Sequence, residues 1–315
     1  MDRRKKIIID TDCGSDDAMA IAMALNDPDY EVLMCVAVSG NVHVDQAALN
    51  TLTTIEYAKS YEPPVYKGCG KMLLKELIYA HETHGNDGMG DIGLVPQRLK
   101  VQDGNGVLKM LEALRASEEG EIDIVALGPL TNLALAIRLD YETMKKAGRI
   151  VIMGTAGLGA GNVTPVAEFN IWQDAEAAKI VVESGLEEII FVGWDACLGD
   201  SMLNPQEIDK IRTGSELGKF AIACNRCLLE MNRERFGDYY LDMADPSAMA
   251  AALYPECIDQ CEKYYCEVDV SNGPSYGSVL VDSNFFSGKE PNVFICSKLD
   301  AQKYKEYIYK TLHVD

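Results

Sequence analysis

"IIIDTDCGSDDAMAIAMAL" occupies residues 7–25 and carries four aspartates within eight positions: Asp10, Asp12, Asp16 and Asp17. The unalternating run Ile7-Ile8-Ile9 reads as a strand buried on both faces, the pattern of a parallel sheet. Cys13-Gly14-Ser15 then reads as a turn, and Asp16 and Asp17 as the opening of a helix, where acidic side chains suit the macrodipole. That preference accounts for one acid at a helix start and does poorly with four around one turn. Hard oxygen ligands grouped in this way suit Ca²⁺ or Mg²⁺, which would offset the mutual repulsion.

Working outward, short β-branched runs alternate with helical stretches. Strands are expected at 5–10, 30–38, 122–128, 149–154 and 187–194, with helices near 16–26, 44–60, 105–118, 131–139 and 174–184. Such alternation predicts an α/β fold with an open, mostly parallel sheet and helices on both faces. The last third adds helices at 205–212, 215–235 and 246–254, then the strand-like stretches "CEVDV", "GSVLVD" and "NVFICS". No repeat or Pro/Gly/Ser-rich linker divides the chain, so residues 1–315 are expected to form one domain. In such sheets ligands sit outside the carboxyl ends of the strands. "DTDCGSDD", "SGN" (39–41), "LGPLTN" (127–132) and "MGTAG" (153–157) all follow strand candidates, which predicts a single pocket.

Composition sets the outer bounds. The 315 residues are 48% hydrophobic and 25% charged, which is ordinary globular composition. With 49 acidic against 29 basic side chains the formal charge is −20, arguing against nucleic acid or an anionic membrane as partner. The N-terminus lacks the apolar run of a signal peptide and no stretch reaches membrane-spanning length. Ten cysteines are scattered through apolar segments, where they read as buried free thiols in a reducing cytoplasm. "CNRC" (224–227) falls inside what reads as one continuous helix without a second matching pair, so it is not read as a zinc site.

The stretch "DTDCGSDDAMA" resembles the N-terminal signature of the inosine-uridine-preferring nucleoside hydrolases. The likeness continues in order through "SGN" 39–41, "HGNDGMG" 84–90, "LGPLTNLA" 127–134, "GNVTPVAEFNIWQDAEAA" 161–178 and "ADP" 244–246. The resemblance implies calcium-dependent hydrolysis of the N-glycosidic bond of ribonucleosides to free base and ribose. It implies Ca²⁺ held by Asp12, Asp17, the Leu127 carbonyl and Asp245, with Asp10 in support and Asp12 as the base that activates a metal-bound water. Asp16, Asn41, Met153, Asn162, Glu168, Asn170 and His84 match substrate-binding positions. For Glu168 and Asn170 the alternate spacing in "AEFN" also predicts that both point to one face. A small-molecule nucleoside partner and a homo-oligomer, dimer or tetramer, complete the expectation.

Two other readings stand beside this one. Asp-x-Asp after a first strand also occurs in Mg²⁺-dependent phosphatases of the haloacid dehalogenase type, although Asp16-Asp17 is unexplained there. The second arises because the family often has His-Asp where this chain has Ala244-Asp245. Alanine donates no proton to a departing base, so a nucleoside- or ribose-binding homologue with weak catalysis is the alternative. Replacement donors are sought among Tyr239, Tyr240, Arg226, Arg233 and Arg235, with a tyrosine first.

Overall fold

The computed structural model describes residues 4–315. Ten strands form: β1 (Lys5–Thr11), β2 (Tyr30–Ala37), β3 (Val65–Lys67), β4 (Ile122–Ala126), β5 (Ile150–Met153), β6 (Ile189–Val192), β7 (Ile258–Tyr264), β8 (Cys266–Val268), β9 (Val279–Val281) and β10 (Val293–Leu299). Eight of them make one sheet in the order β3-β2-β1-β4-β5-β6-β10-β7. All its pairings are parallel except that of β10 with the edge strand β7. β8 and β9 form a separate antiparallel pair.

The isoleucine run shows why this sheet is buried on both sides. Ile7 and Ile9 enter one apolar cluster while Ile8 enters the other, and all three are fully buried. Side chains two apart share a face, so an unalternating apolar strand needs helices above and below. The first cluster is completed by helices Ser15–Asn26, Val44–Ala58 and Ala244–Leu253, the second by Gly106–Ala116, Thr131–Leu139 and Ala175–Val182.

The strand order places the functional end of the sheet. From β1 the chain builds outward through β2 and β3 on one side, then returns to add β4 on the other. β1 and β4 therefore flank the switch point, where the connections diverge and leave a crevice at the carboxyl ends. Asn132 ties that region together. Its Nδ2 donates to Asp10 Oδ2 at 2.7 Å and to the Ala37 carbonyl at 3.3 Å, while its Oδ1 accepts from Cys69 N–H at 2.8 Å.

The five strands and five helices expected in the first two thirds all form, with ends shifted by up to a few residues. The helix expected over 215–235 does not run through. It breaks at Asn225 into Glu216–Cys224 and Arg226–Phe236, because the Asn225 amide donates to the Ala221 carbonyl and, across the fold, to the Ser15 carbonyl, both at 2.9 Å. β3, β7 and the closing helix Ala301–Thr311 have no counterpart among the expected elements.

Replacing Asn132 by Ala removes the partner of a buried carboxyl and orphans the Cys69 amide. Unmet buried groups of this kind cost a few kcal/mol. Urea unfolding of Asn132→Ala should show a loss of about 3 kcal/mol; a loss within error of zero would mean that this tie does not brace the strand ends.

Candidate active site

The site is built on helix starts. Gly14 precedes the helix Ser15–Asn26, and Asp17 reaches back so that its Oδ2 accepts from Gly14 N–H at 2.7 Å. Asp17 Oδ1 accepts from the Thr11 hydroxyl at 2.5 Å. Asp245 lies in the first turn of Ala244–Leu253, which packs beside the first helix. Two helix N-termini thus converge, and their positive ends stabilise anionic charge.

Carboxylate oxygens of Asp16, Asp17 and Asp245 lie within 4.8 Å of one another, all three residues being buried. Asp12 borders this group. Its Oδ2 accepts from Asn41 N–H at 2.6 Å, and its Oδ1 is buried without a partner. Glycines 40 and 128 make room for this carboxylate: a Cβ on Gly40 would fall 2.1 Å from Asp12 Oδ2, and one on Gly128 2.8 Å from Oδ1. Asp10 Oδ1 is likewise buried and unpaired, and Asp16 Oδ1 is buried without a hydrogen bond.

Burial and mutual repulsion dominate the electrostatics. Asp12 and Asp245 are pushed well above the usual carboxylate range by burial and then by neighbouring carboxylates. Asp17 is raised to about 7 by burial and by Asp16, and Asp10 to about 7 by burial. Cys13 is also driven up by burial and by Asp17, so it stays a thiol. Orphaned oxygens on crowded, dry carboxylates are the donor set of a hard cation, and these residues fit Ca²⁺ or Mg²⁺.

Above the acidic cluster opens a cavity of about 320 Å³. Asp16, Asn41, His84, Leu127 and Met153 line it together with Asn162, Glu168, Asn170 and Asp245. Asp10, Asp12 and Asp17 are not in its lining and lie fully buried. His84 Nδ1 meets the Ser15 hydroxyl at 2.8 Å and the Asp16 carboxylate at 3.7 Å; burial holds its pKa below the ordinary imidazole value.

"AEFN" does not act as an extended pair. Glu168 caps the short helix Phe169–Gln173, and Asn170 belongs to its first turn. The reason is local: Glu168 accepts from Asn170 N–H at 2.8 Å and Ile171 N–H at 3.3 Å, bonds that a strand does not offer. A third bond comes from Thr155 N–H at 3.2 Å. Thr155 is held at φ 72°, a strained conformation for a β-branched residue. Even so, burial lifts Glu168 to about 7. Asn170 Nδ2 donates to the Leu127 carbonyl at 2.8 Å and reaches the Met153 carbonyl and sulfur, each at 3.3 Å. Asn162 Oδ1 accepts from Phe169 N–H at 2.9 Å.

Of the candidate donors, Arg235 lines the cavity. Other walls were not read from the sequence: Trp194, Phe169 and Val163 supply apolar surface, and Leu228, Met231 and Asp242 also line it. Tyr239 and Tyr240 do not line the cavity; the Tyr239 hydroxyl faces Arg233 and Glu230 instead. Arg226 and Arg233 are also outside the lining.

A carboxylate-rich pocket at the switch point of a doubly wound sheet defines an α/β enzyme acting on a small molecule. The family model described as "Inosine-uridine preferring nucleoside hydrolase" matches residues 7–306. The chain belongs to that family and is a hydrolase acting on N-glycosyl bonds of ribonucleosides. It is 33% identical over 308 residues to the pyrimidine-specific ribonucleoside hydrolase RihA of Salmonella schwarzengrund (strain CVM19633), covering 97% of each chain. Among solved structures it is similar to the plant nucleoside hydrolase PpNRh1, with a TM-score of 0.91, 32% identity, and coverage of 98% of this chain and 99% of that one. It is also similar to an inosine-guanosine nucleoside hydrolase, with a TM-score of 0.90, 28% identity, and coverage of 99% and 100%.

Two outcomes test this geometry. Gly40→Ala should push Asp12 aside and lower ribose release by about 100-fold, as misplacements near 1 Å do; activity within error of the parent would show that the carboxylate has room. The second concerns stability. Asp10, Asp17 and Glu168 hold their protons up to about 7 when folded. Unfolded carboxyls titrate near 4, so between about pH 4 and 7 the folded chain binds more protons and loses stability as pH rises. Chelated protein should therefore melt higher near pH 5 than near pH 8, and saturating Ca²⁺, which favours the ionised forms, should narrow the gap. Equal melting temperatures at both pH values without metal would contradict the buried acidic floor.

Proposed function

We propose that this chain hydrolyses ribonucleosides to free base and ribose with Asp12 as general base and a divalent cation, Ca²⁺, at its acidic floor. The observation that carries this reading is the buried, unpaired Oδ1 of Asp12 beside the Asp16–Asp17–Asp245 cluster. Asp12, Asp17 and Asp245 would hold the cation together with the Leu127 carbonyl. When bound, such a cation supplies charge that neutralises the carboxylates and acidifies water.

The chain's own groups account for the rest. Asn41 N–H fixes one oxygen of Asp12, leaving the other to take a proton from water as its oxygen adds to C1′ of the ribose. The C1′–N bond breaks and its electron pair leaves with the base. Asp16, Asn41, Asn162, Glu168 and Asn170 form a ring of acceptors and amides that can bind sugar hydroxyls, with His84 at its side. Glu168, anchored by three backbone N–H groups, presents acceptor oxygens where the sugar becomes cationic. The Met153 sulfur adds a polarisable surface to the same wall.

Free ribose released from a panel of purine, pyrimidine and modified nucleosides, with Ca²⁺ and with chelator, tests the reading directly. Asp12→Asn should lower kcat by about 10²–10⁴-fold, the usual contribution of a general base, while circular dichroism stays that of the parent. Full activity in that variant, or release unaffected by chelator, would remove the assigned roles.

A further inference from the structure

Breaking the C1′–N bond leaves an electron pair on the base, and a group on the cavity wall must protonate it for neutral bases to depart readily. Ala244, which lines the cavity one residue before Asp245, has no proton to give. The lining offers several titratable groups, and most are committed elsewhere. Asp16 and Asp245 belong to the acidic floor. Glu168 has both oxygens occupied by backbone N–H donors, so neither is free to present a proton to a departing base. Arg235 and Glu82 are exposed, and a guanidinium does not release its proton. His84 has Nδ1 engaged by Ser15, and its burial disfavours the imidazolium.

Asp242 is different. It lines the cavity and is 2% exposed. Its Oδ1 accepts from Asn232 Nδ2 at 2.7 Å, and its Oδ2 is buried with no partner at all. Asn232 is itself fully buried and is anchored by a second bond, from the same Nδ2 to the Tyr240 carbonyl at 3.0 Å. An oriented carboxyl with one free oxygen on a dry wall is arranged to carry a proton on that oxygen.

We propose that Asp242 is the general acid of this enzyme, giving its Oδ2 proton to the departing base, and that Asn232 is the positioning residue that holds it. The proposal rests on the hydrolase reading above. In the step, water adds through oxygen to C1′ and its proton passes to Asp12. The C1′–N pair moves onto the base, which takes the proton from Asp242, leaving Asp242 ionised. Proton exchange with solvent resets both carboxyls, so the sum is nucleoside plus water giving base plus ribose. Around Asp242 burial raises the pKa most, the Asn232 amide and its own backbone N–H lower it, Arg235 lowers it further and Asp16 raises it, and the balance lies at about 6. Cys197, also near it, is itself driven up and stays neutral.

The test compares two leaving groups. Inosine and uridine need a proton on the base, whereas 4-nitrophenyl β-D-ribofuranoside releases a stabilised phenolate that does not. Asp242→Asn should lower kcat by about 10²–10⁴-fold on the nucleosides and leave the nitrophenyl riboside within a few-fold of wild type. Asn232→Leu should show the same selectivity with a smaller loss. Equal losses on both substrate types in these variants would mark Asp242 as structural, and undiminished nucleoside turnover in Asp242→Asn would remove it from the reaction; either overturns the proposal. If Asp242→Asn does not fold, Asn232→Leu decides on the same criterion. Wild-type protein that releases ribose from no nucleoside would overturn the hydrolase reading itself, and this proposal with it.

Discussion

Negative charge confined away from water is the constraint on which this structure depends. Four aspartates of the first strand, turn and helix and Asp245 from a distant helix occupy one dry region, where each ionised carboxylate raises the cost of the next. The fold answers with backbone rather than with basic side chains: no lysine or arginine is paired with Asp12, Asp16, Asp17 or Asp245 among the described residues. Helix N-termini, the Asn41 amide and the Gly14 amide take up part of the charge. What they leave over is the capacity for a cation, and it lies at the switch point because only there do the diverging connections leave space beside two strand ends.

Much of this was legible in the sequence because the signals are local. The unalternating isoleucines of β1 specify a strand covered on both faces, and Asp16 and Asp17 mark a helix start within a few residues of it. Glycines 40 and 128, following β2 and β4, flagged the strand ends that turn out to surround the Asp12 carboxylate. Cavity-lining residues as far apart as Asp16 and Asp245 were reached through the ordered likeness to a family, since no local pattern connects them.

What escaped reading depends on long-range partners. Asn225 sits between two helix-favouring stretches, and nothing nearby reveals that its amide reaches Ser15. Glu168 looks extended until the amides it caps are in place. β7, with its mixed polar sequence "IDQCEKY", lacks the periodicity of a core strand because it pairs on one side only. Asp242 went unremarked for a similar reason. A single aspartate before "ADP" reads as a turn residue, and only the buried Asn232 behind it gives its carboxyl a direction.

The break at Asn225 has a consequence for how such a scaffold can diversify. The wall helix Arg226–Phe236 is tied at its start by the Asn225 amide to the Ser15 carbonyl and along its length by Asn232 to Tyr240 and Asp242, and most of it faces solvent. Leu228, Met231 and Arg235 of this helix line the cavity, while the aspartates below take their supports from β1, Asn41 and the helix starts. The cavity's acidic floor and this part of its wall are thereby built by different parts of the chain. A pyrimidine-specific relative and an inosine-guanosine hydrolase are both similar to this chain along nearly its whole length, so one scaffold carries different specificities.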